Sequence, residues 1–158
     1  MESRVLNIKY VTCSFDELEK SDAELVEAAQ KATFSSYAPY SNFSVGAAVR
    51  LSNNEIVQGS NQENAAFGAG ICAERCAMFY ANSKYPDYAI CSIAIAARGV
   101  SGEFVHSPIS PCGVCRQALI EAQTRAKLPI RVLLYGVREV CIFESVSDLL
   151  PFQFDEIL

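Results

Sequence analysis

Three cysteines and one glutamate carry the most specific chemistry in this sequence. They are Cys72-Ala73-Glu74-Arg75 and, forty residues later, Pro111-Cys112-Gly113-Val114-Cys115. A Cys-x-x-Cys pair with one distant cysteine offers three thiolates to a single zinc ion. Structural zinc sites close with four protein ligands, whereas catalytic sites keep three and leave the fourth place to water or substrate. Glu74 follows the solitary cysteine by two positions, so it can reach a water at that open place without binding the metal. A Lewis acid beside a non-ligating carboxylate is equipment for activating water and moving its proton. Three thiolates on Zn²⁺ leave a net negative charge. Arg75 stands next to the site, where hydrogen bonds to the cysteine sulfurs would offset some of it. Two other assignments compete. Cys76, four residues after Cys72, would complete a closed four-thiolate structural site. A metal-free Cys112/Cys115 redox pair would leave Cys72 and Glu74 without a role. The only histidine, His106, reads as a surface loop residue rather than the partner of a nucleophilic cysteine.

These residues need elements to position them. Cys72 and Cys112 fall at the starts of two expected helices, one running to about Ser83 and the other ending before Leu128. Helix N-termini carry positive partial charge and unpaired N–H groups, which lower thiol pKa values. Two such helices side by side, pointing the same way, would gather three sulfurs at one point. Earlier, Ser21-Asp22-Ala23-Glu24 has the form of a capping box. It predicts a helix to about Tyr37 that buries Leu25, Ala28, Ala29 and Ala32 and is ended by Pro39. Phe43, Val45, Ala47, Val49 and Leu51 recur with period two, the mark of a strand, and Ser52 to Glu55 turns it into a returning strand at Ile56-Val57-Gln58. Ile90 to Ala97 is continuously apolar, as in a strand buried on both faces. Ile130–Tyr135 and Glu139–Phe143 are the last two strands, and a short helix from Val146 to Leu150 is stopped by Pro151. Val5 to Val11 is loosely strand-like, an N-terminal addition along the domain. Helices between strands imply right-handed crossovers and a partly parallel sheet covered on both faces. No linker divides the chain, so residues 1–158 read as one domain with 1–20 as an extension.

Composition narrows the partners. Thirteen basic against eighteen acidic residues give a net charge of −5. Tight binding of a nucleic acid polymer, which needs clustered Lys and Arg, is therefore not expected, and small neutral substrates are favoured. Seven cysteines in 158 residues are too few for a disulfide scaffold and odd in number. No apolar stretch follows Met1-Glu2-Ser3-Arg4, and the longest apolar run is too short to cross a membrane. The expectation is a cytoplasmic protein with reduced thiols.

Several runs, in order, resemble the small homotetrameric zinc-dependent cytidine deaminases that act on free nucleosides. They are Pro39-Tyr40-Ser41-Asn42-Phe43-Ser44-Val45-Gly46-Ala47-Ala48, Asn61-Gln62-Glu63-Asn64-Ala65-Ala66, Ile71-Cys72-Ala73-Glu74-Arg75, Ser110-Pro111-Cys112-Gly113-Val114-Cys115-Arg116-Gln117, and Leu149-Leu150-Pro151 with Phe154 behind it. The resemblance spans roughly Ala32 to Phe154. It implies a three-layer α/β/α sandwich with a mixed five-stranded sheet and one Zn²⁺ per chain on Cys72, Cys112 and Cys115. It implies Glu74 as proton carrier and hydrolysis of cytidine and 2′-deoxycytidine to the uridine forms with release of ammonia, a pyrimidine salvage reaction. Phe43 would pack on the pyrimidine, Asn61 and Glu63 would bind the ribose 3′-hydroxyl, and Ala73 with Glu74 would hold the base amide edge. Phe154 would close the pocket of a neighbouring subunit in the tetramer. The pattern departs from its relatives at Phe67, where Tyr is common, and at Gly68, where Pro is common. Two rivals stand beside this reading: a deaminase for a modified nucleoside or another aminopyrimidine, and a structural zinc module for protein contacts.

Overall fold

The computed structural model describes residues 1–155; the last three residues of the expected 1–158 domain lie outside that range. Its strands are β1 (Val11–Cys13), β2 (Ser44–Leu51), β3 (Ile56–Ser60), β4 (Ile90–Arg98), β5 (Arg131–Tyr135) and β6 (Val140–Phe143). Its helices are α1 (Lys20–Ala32), α2 (Ala73–Lys84) and α3 (Gly113–Ala126). The strands form one mixed sheet in the order β1-β6-β5-β4-β2-β3. β4 and β5 are parallel, and the other neighbours are antiparallel.

Six strands replace the expected five. The sixth is β1, which pairs antiparallel with β6, Thr12 opposite Cys141. The expected strand over Val5 to Val11 lay too early, since pairing begins at Val11. Tyr10, just before it, stacks on Phe143 with ring centroids 5.2 Å apart. A lone short strand with one weak alternation gives no sign of its partner, and here the partner is 127 residues or more away.

Alternation along the strands builds two apolar clusters. Ala47, Val49, Ile93, Ile95, Val132 and Leu134 meet Ala73, Ala77 and Met78 of α2 and Leu119 and Ile120 of α3. Their neighbours Ala48, Ala94, Ala96, Leu133 and Ile142 meet Leu25, Val26 and Ala29 of α1. α1 therefore packs on one set of strand side chains, and α2 with α3 on the other.

The expected capping box at Ser21 is absent: α1 starts at Lys20 with Glu19 as its N-cap. The acids of that tetrapeptide serve the sheet instead. Asp22 pairs with Arg131 at 3.0 Å and Glu24 with Arg50 at 2.9 Å. The helix also stops at Ala32 rather than near Tyr37, tightening into a 3-10 turn at Thr33–Ser35. Strand β2 presses on that end: a Cβ at Gly46 would lie 2.2 Å from the Ala29 carbonyl oxygen. Past the turn, Tyr37 leaves the helix path to bridge Gln62. Ala28, expected in the core, is half-buried, and Val26 is fully buried in its stead.

Candidate active site

The helices bearing the cysteines begin at the same end of the sheet. β3 and β4 each run antiparallel to β2 between them, so they are parallel to each other. α2 follows β3, α3 follows β4, and both pack into the same cluster. Their N-termini therefore lie together where β3 and β4 end and β2 begins, the place where ligands settle in open α/β sheets.

Cys72 is the N-cap of α2 and Cys112 the N-cap of α3, both with extended backbone, and Cys115 lies in the first turn of α3. The three sulfurs are within 4.8 Å of one another, with Cys72 and Cys112 Sγ 3.8 Å apart. Cys76, one turn into α2, does not join them, so the four-thiolate structural alternative is not formed. None of the seven cysteines is disulfide-bonded. The donor set fits Zn²⁺: three sulfurs converge, and the remaining side opens into a cavity.

Electrostatics at the cluster suit a cation. Burial pushes the Cys115 thiol far up, and the nearby Glu74 carboxyl adds to this, while the Arg75 guanidinium opposes it. At Cys112 burial also raises the pKa, but hydrogen bonds from the Cys115 backbone and the Cys115 and Cys72 thiols outweigh it and hold it below the usual range. A divalent ion settles the matter for all three, because a coordinating thiol is deprotonated outright. Arg75 reaches the Cys72 sulfur at 3.6 Å. Its Nε is buried with no partner, a donor left over beside sulfurs that become acceptors as thiolates.

Glu74 is 4% exposed. Burial raises its carboxyl above the ordinary carboxylate range, resisted by its own backbone N–H, a hydrogen bond with the Cys115 thiol and the charge of Arg75. A carboxyl poised upward in this way is the usual form of a general acid–base working near neutral pH.

A cavity of about 680 Å³ opens over the cluster, lined among others by Val45, Asn61, Glu63, Ala73, Glu74 and Ile109. Its size suits a small organic ligand. The Asn61 amide is largely committed. Its oxygen accepts from the Ser36 hydroxyl at 2.5 Å and the Val45 N–H at 2.8 Å, and its nitrogen donates to the Phe43 carbonyl at 2.9 Å. One amide hydrogen remains free, so Asn61 can donate to a ligand but has no acceptor to spare. Glu63 accepts from the Tyr40 N–H at 2.8 Å and the Ser41 N–H at 3.3 Å through one carboxylate oxygen. A hydrogen bond with the Ser41 side chain, followed by these backbone bonds, holds its carboxyl below the usual range, so it faces the cavity as an anion.

Phe43 is half-buried just before β2 and is not among the lining residues, whereas Val45, two positions on, is. Phe154 is 66% exposed and lines no part of its own chain's cavity. Sequence reasoning gave no site role to Tyr40, Ile71, Ile109 and Ser110, which line the cavity. Each sits within three positions of a residue that was given a site role, and that adjacency was the available signal. Phe67 is 81% exposed at the rim, with Tyr40 edge-on to it at 6.0 Å. A Cβ at Gly68 would meet nothing within 4 Å, so no close approach demands glycine there.

An α/β sheet with three convergent thiols and a buried carboxyl at paired helix N-termini defines a mononuclear zinc enzyme. Residues 19–129 match the model of the cytidine and deoxycytidylate deaminase zinc-binding region, and the chain belongs to that family. It is 35% identical over 133 residues to a cytidine deaminase of Halalkalibacterium halodurans, covering 82% of this chain and 91% of that one. It is 38% identical over 133 residues to a cytidine deaminase of Sporosarcina psychrophila, covering 84% and 90%. Among solved structures, cytidine deaminase from Burkholderia pseudomallei superposes with a TM-score of 0.71 at 39% identity, covering 83% of this chain and 97% of that one. The Mycobacterium tuberculosis enzyme gives 0.65 at 29% identity, covering 84% and 95%. The family match begins at residue 19, so β1 lies outside it.

Proposed function

We propose that this protein hydrolyses cytidine and 2′-deoxycytidine to uridine and 2′-deoxyuridine, releasing ammonia. One observation carries the reading: a buried carboxyl, Glu74, hydrogen-bonded within a cluster of three thiols that opens on a ligand-sized cavity. Cys72, Cys112 and Cys115 would hold one Zn²⁺, with Arg75 relieving the charge of the sulfurs. When bound, the metal supplies the Lewis acidity that makes water nucleophilic at neutral pH. Glu74 takes the proton of the attacking water and delivers it to N3 of the base. The water oxygen adds to C4, and Glu74 carries the second proton to the amino group, which leaves as ammonia. The first-turn backbone at Ala73, with Glu74, holds the amide edge of the base. The free Asn61 N–H and the Glu63 carboxylate bind a ribose hydroxyl as donor and acceptor, and Phe43, which lies outside the lining of this cavity, turns toward it to pack against the pyrimidine.

The same reading extends to assembly. We infer a three-layer sandwich that associates as a homotetramer, with Phe154 completing the pocket of a neighbouring subunit. Exposed Phe152 and Phe154 at 93% and 66% support this, since a monomer gains nothing by displaying two such rings. Among the described residues no helix is long and apolar enough to cross a membrane. Unpaired cysteines agree with a cytoplasmic, reducing setting.

An ultraviolet assay of the zinc-loaded protein with cytidine, deoxycytidine and cytosine tests the activity. Loss of absorbance with the two nucleosides is expected, and none with either would overturn the assignment. Light scattering gives the mass. Mixed Glu74→Gln and Phe154→Ala chains should regain activity if subunits exchange and sites are shared. An active monomer would refute the shared site and leave the deaminase reading standing.

A further inference from the structure

Two residues directly after Cys115 bind segments far along the chain. Arg116 donates once from each of its three guanidinium nitrogens: to the Pro111 carbonyl at 2.8 Å through Nε, the Leu149 carbonyl at 2.8 Å, and the Ser110 hydroxyl at 2.9 Å. It thus ties the loop entering α3, one residue before Cys112, to the turn that precedes the C-terminal segment. Gln117 then grips that segment at two points. Its amide nitrogen donates to the Phe154 carbonyl at 2.6 Å, and its amide oxygen accepts from the Phe154 N–H at 3.4 Å. The pairing copies a strand ladder, with a side-chain amide standing in for a neighbouring peptide.

This geometry has a consequence for Phe154. No regular element carries that residue, for the last one ends at Leu149, and its ring is largely exposed. A free chain of that kind would sample many directions, and ordering it on ligand entry would cost affinity. The double hydrogen bond holds the Phe154 backbone in one place against α3 before any partner or ligand arrives. The anchor point is the second residue after a thiol of the metal cluster, so tail and cluster share one rigid base.

We propose that Gln117 is a positioning residue: it sets the direction of Phe154, and so the closure of the nucleoside pocket, by clamping the Phe154 peptide to the helix that carries Cys115. Arg116 supports it by fixing the preceding turn at Leu149. The proposal rests on the reading of Phe154 as a pocket residue of a neighbouring subunit.

Because Gln117 touches neither metal nor base, its loss should appear in binding and not in chemistry. Gln117→Ala should raise KM for cytidine about fivefold, the net worth of roughly one hydrogen bond, with kcat, zinc content and melting temperature unchanged. Gln117→Glu keeps the acceptor for the Phe154 N–H but places an anion against the Phe154 carbonyl, and should do no better than Gln117→Ala. The double variant Gln117→Ala/Phe154→Ala should be no worse than Phe154→Ala alone. Additive effects, an unchanged KM in Gln117→Ala, or a fall in kcat or zinc content would overturn the proposal. A hydrogen-exchange measurement on the C-terminal peptide separates the clamp from the role of Phe154. Faster exchange at Phe154 in Gln117→Ala is expected, and unchanged exchange refutes the clamp. If exchange quickens while Phe154→Ala itself leaves KM unaltered, the shared-pocket reading has failed and the positioning role of Gln117 falls with it, while the deaminase assignment stands.

Discussion

Gly59→Ala tests how closely the site depends on backbone packing beneath it. Gly59 lies in β3, and a Cβ there would stand 2.4 Å from the Ala77 amide nitrogen and 2.8 Å from the Ala73 carbonyl oxygen of α2. Both partners are backbone, so no side-chain rotation relieves the clash. Ordinary contact begins at 3.4 Å, which requires α2 to retreat from β3 by about 1 Å, an overpacking strain of ~1–3 kcal/mol. The displacement is not shared evenly. Cys72 and Glu74 move with α2, while Cys112 and Cys115 stay with α3, so the carboxyl and one sulfur shift against the other two. A misplacement of about 1 Å in a catalytic constellation costs about 10²-fold in rate. We therefore expect a lower urea midpoint, weaker zinc retention during dialysis against a chelator, and a turnover of cytidine reduced on the order of 10²-fold. Gly99→Ala, whose Cβ would meet nothing within 4 Å, is the control and should match the parent in all three. A Gly59→Ala protein with the parent's stability and turnover would refute the reasoning.

Glu74→Gln should keep zinc and fold while turnover falls by at least ~10²-fold; near-normal turnover would remove Glu74 from the mechanism. Cys112→Ala should lose the metal and with it solubility, because the three sulfurs tie α2 to α3; full zinc occupancy by metal analysis would contradict the ligand set. Burial holds the Glu74 carboxyl above its ordinary value, so in the zinc-free protein ionising it costs stability as pH rises from the unfolded pKa through the folded one. Denaturant midpoints should then favour zinc-free Glu74→Gln over the parent near neutral pH and converge below the ordinary carboxylate range; a parent more stable at neutral pH would show the sign to be wrong. With a net charge of −5, single-stranded DNA or RNA at physiological salt should show no deamination on sequencing, and efficient editing would overturn the preference for free nucleosides.

Much of this site was legible in one dimension because its chemistry is local. The N-caps Cys72 and Cys112, first-turn Cys115 and adjacent Glu74 need only a helix start, and helix starts are written in short stretches of residues. β2, β3, β4 and β5 were equally readable, since alternation or an unbroken apolar run records which faces are buried. The failures occurred where local signals yielded to distant partners. The Ser21 capping box lost to ion pairs with Arg50 and Arg131, and α1 ended early under the backbone of Gly46. Strand β1 exists because β6 leaves an edge for it, which nothing in residues 11–13 declares.

The sequence by itself determined the three thiols, the carboxyl beside them and the helices that present them, because each depends on residue type and spacing within a single element. Only the tertiary structure decided the rest. It excluded Cys76 from the cluster by leaving it a turn inside α2, and it buried Glu74 to 4% exposure, which raises its carboxyl. It also left Asn61 a single free donor and fastened the Phe154 backbone to Gln117. These are properties of desolvation and of hydrogen-bond partners between segments tens of residues apart. They come into being when the sheet brings its strand ends together, and no periodicity along the chain encodes them.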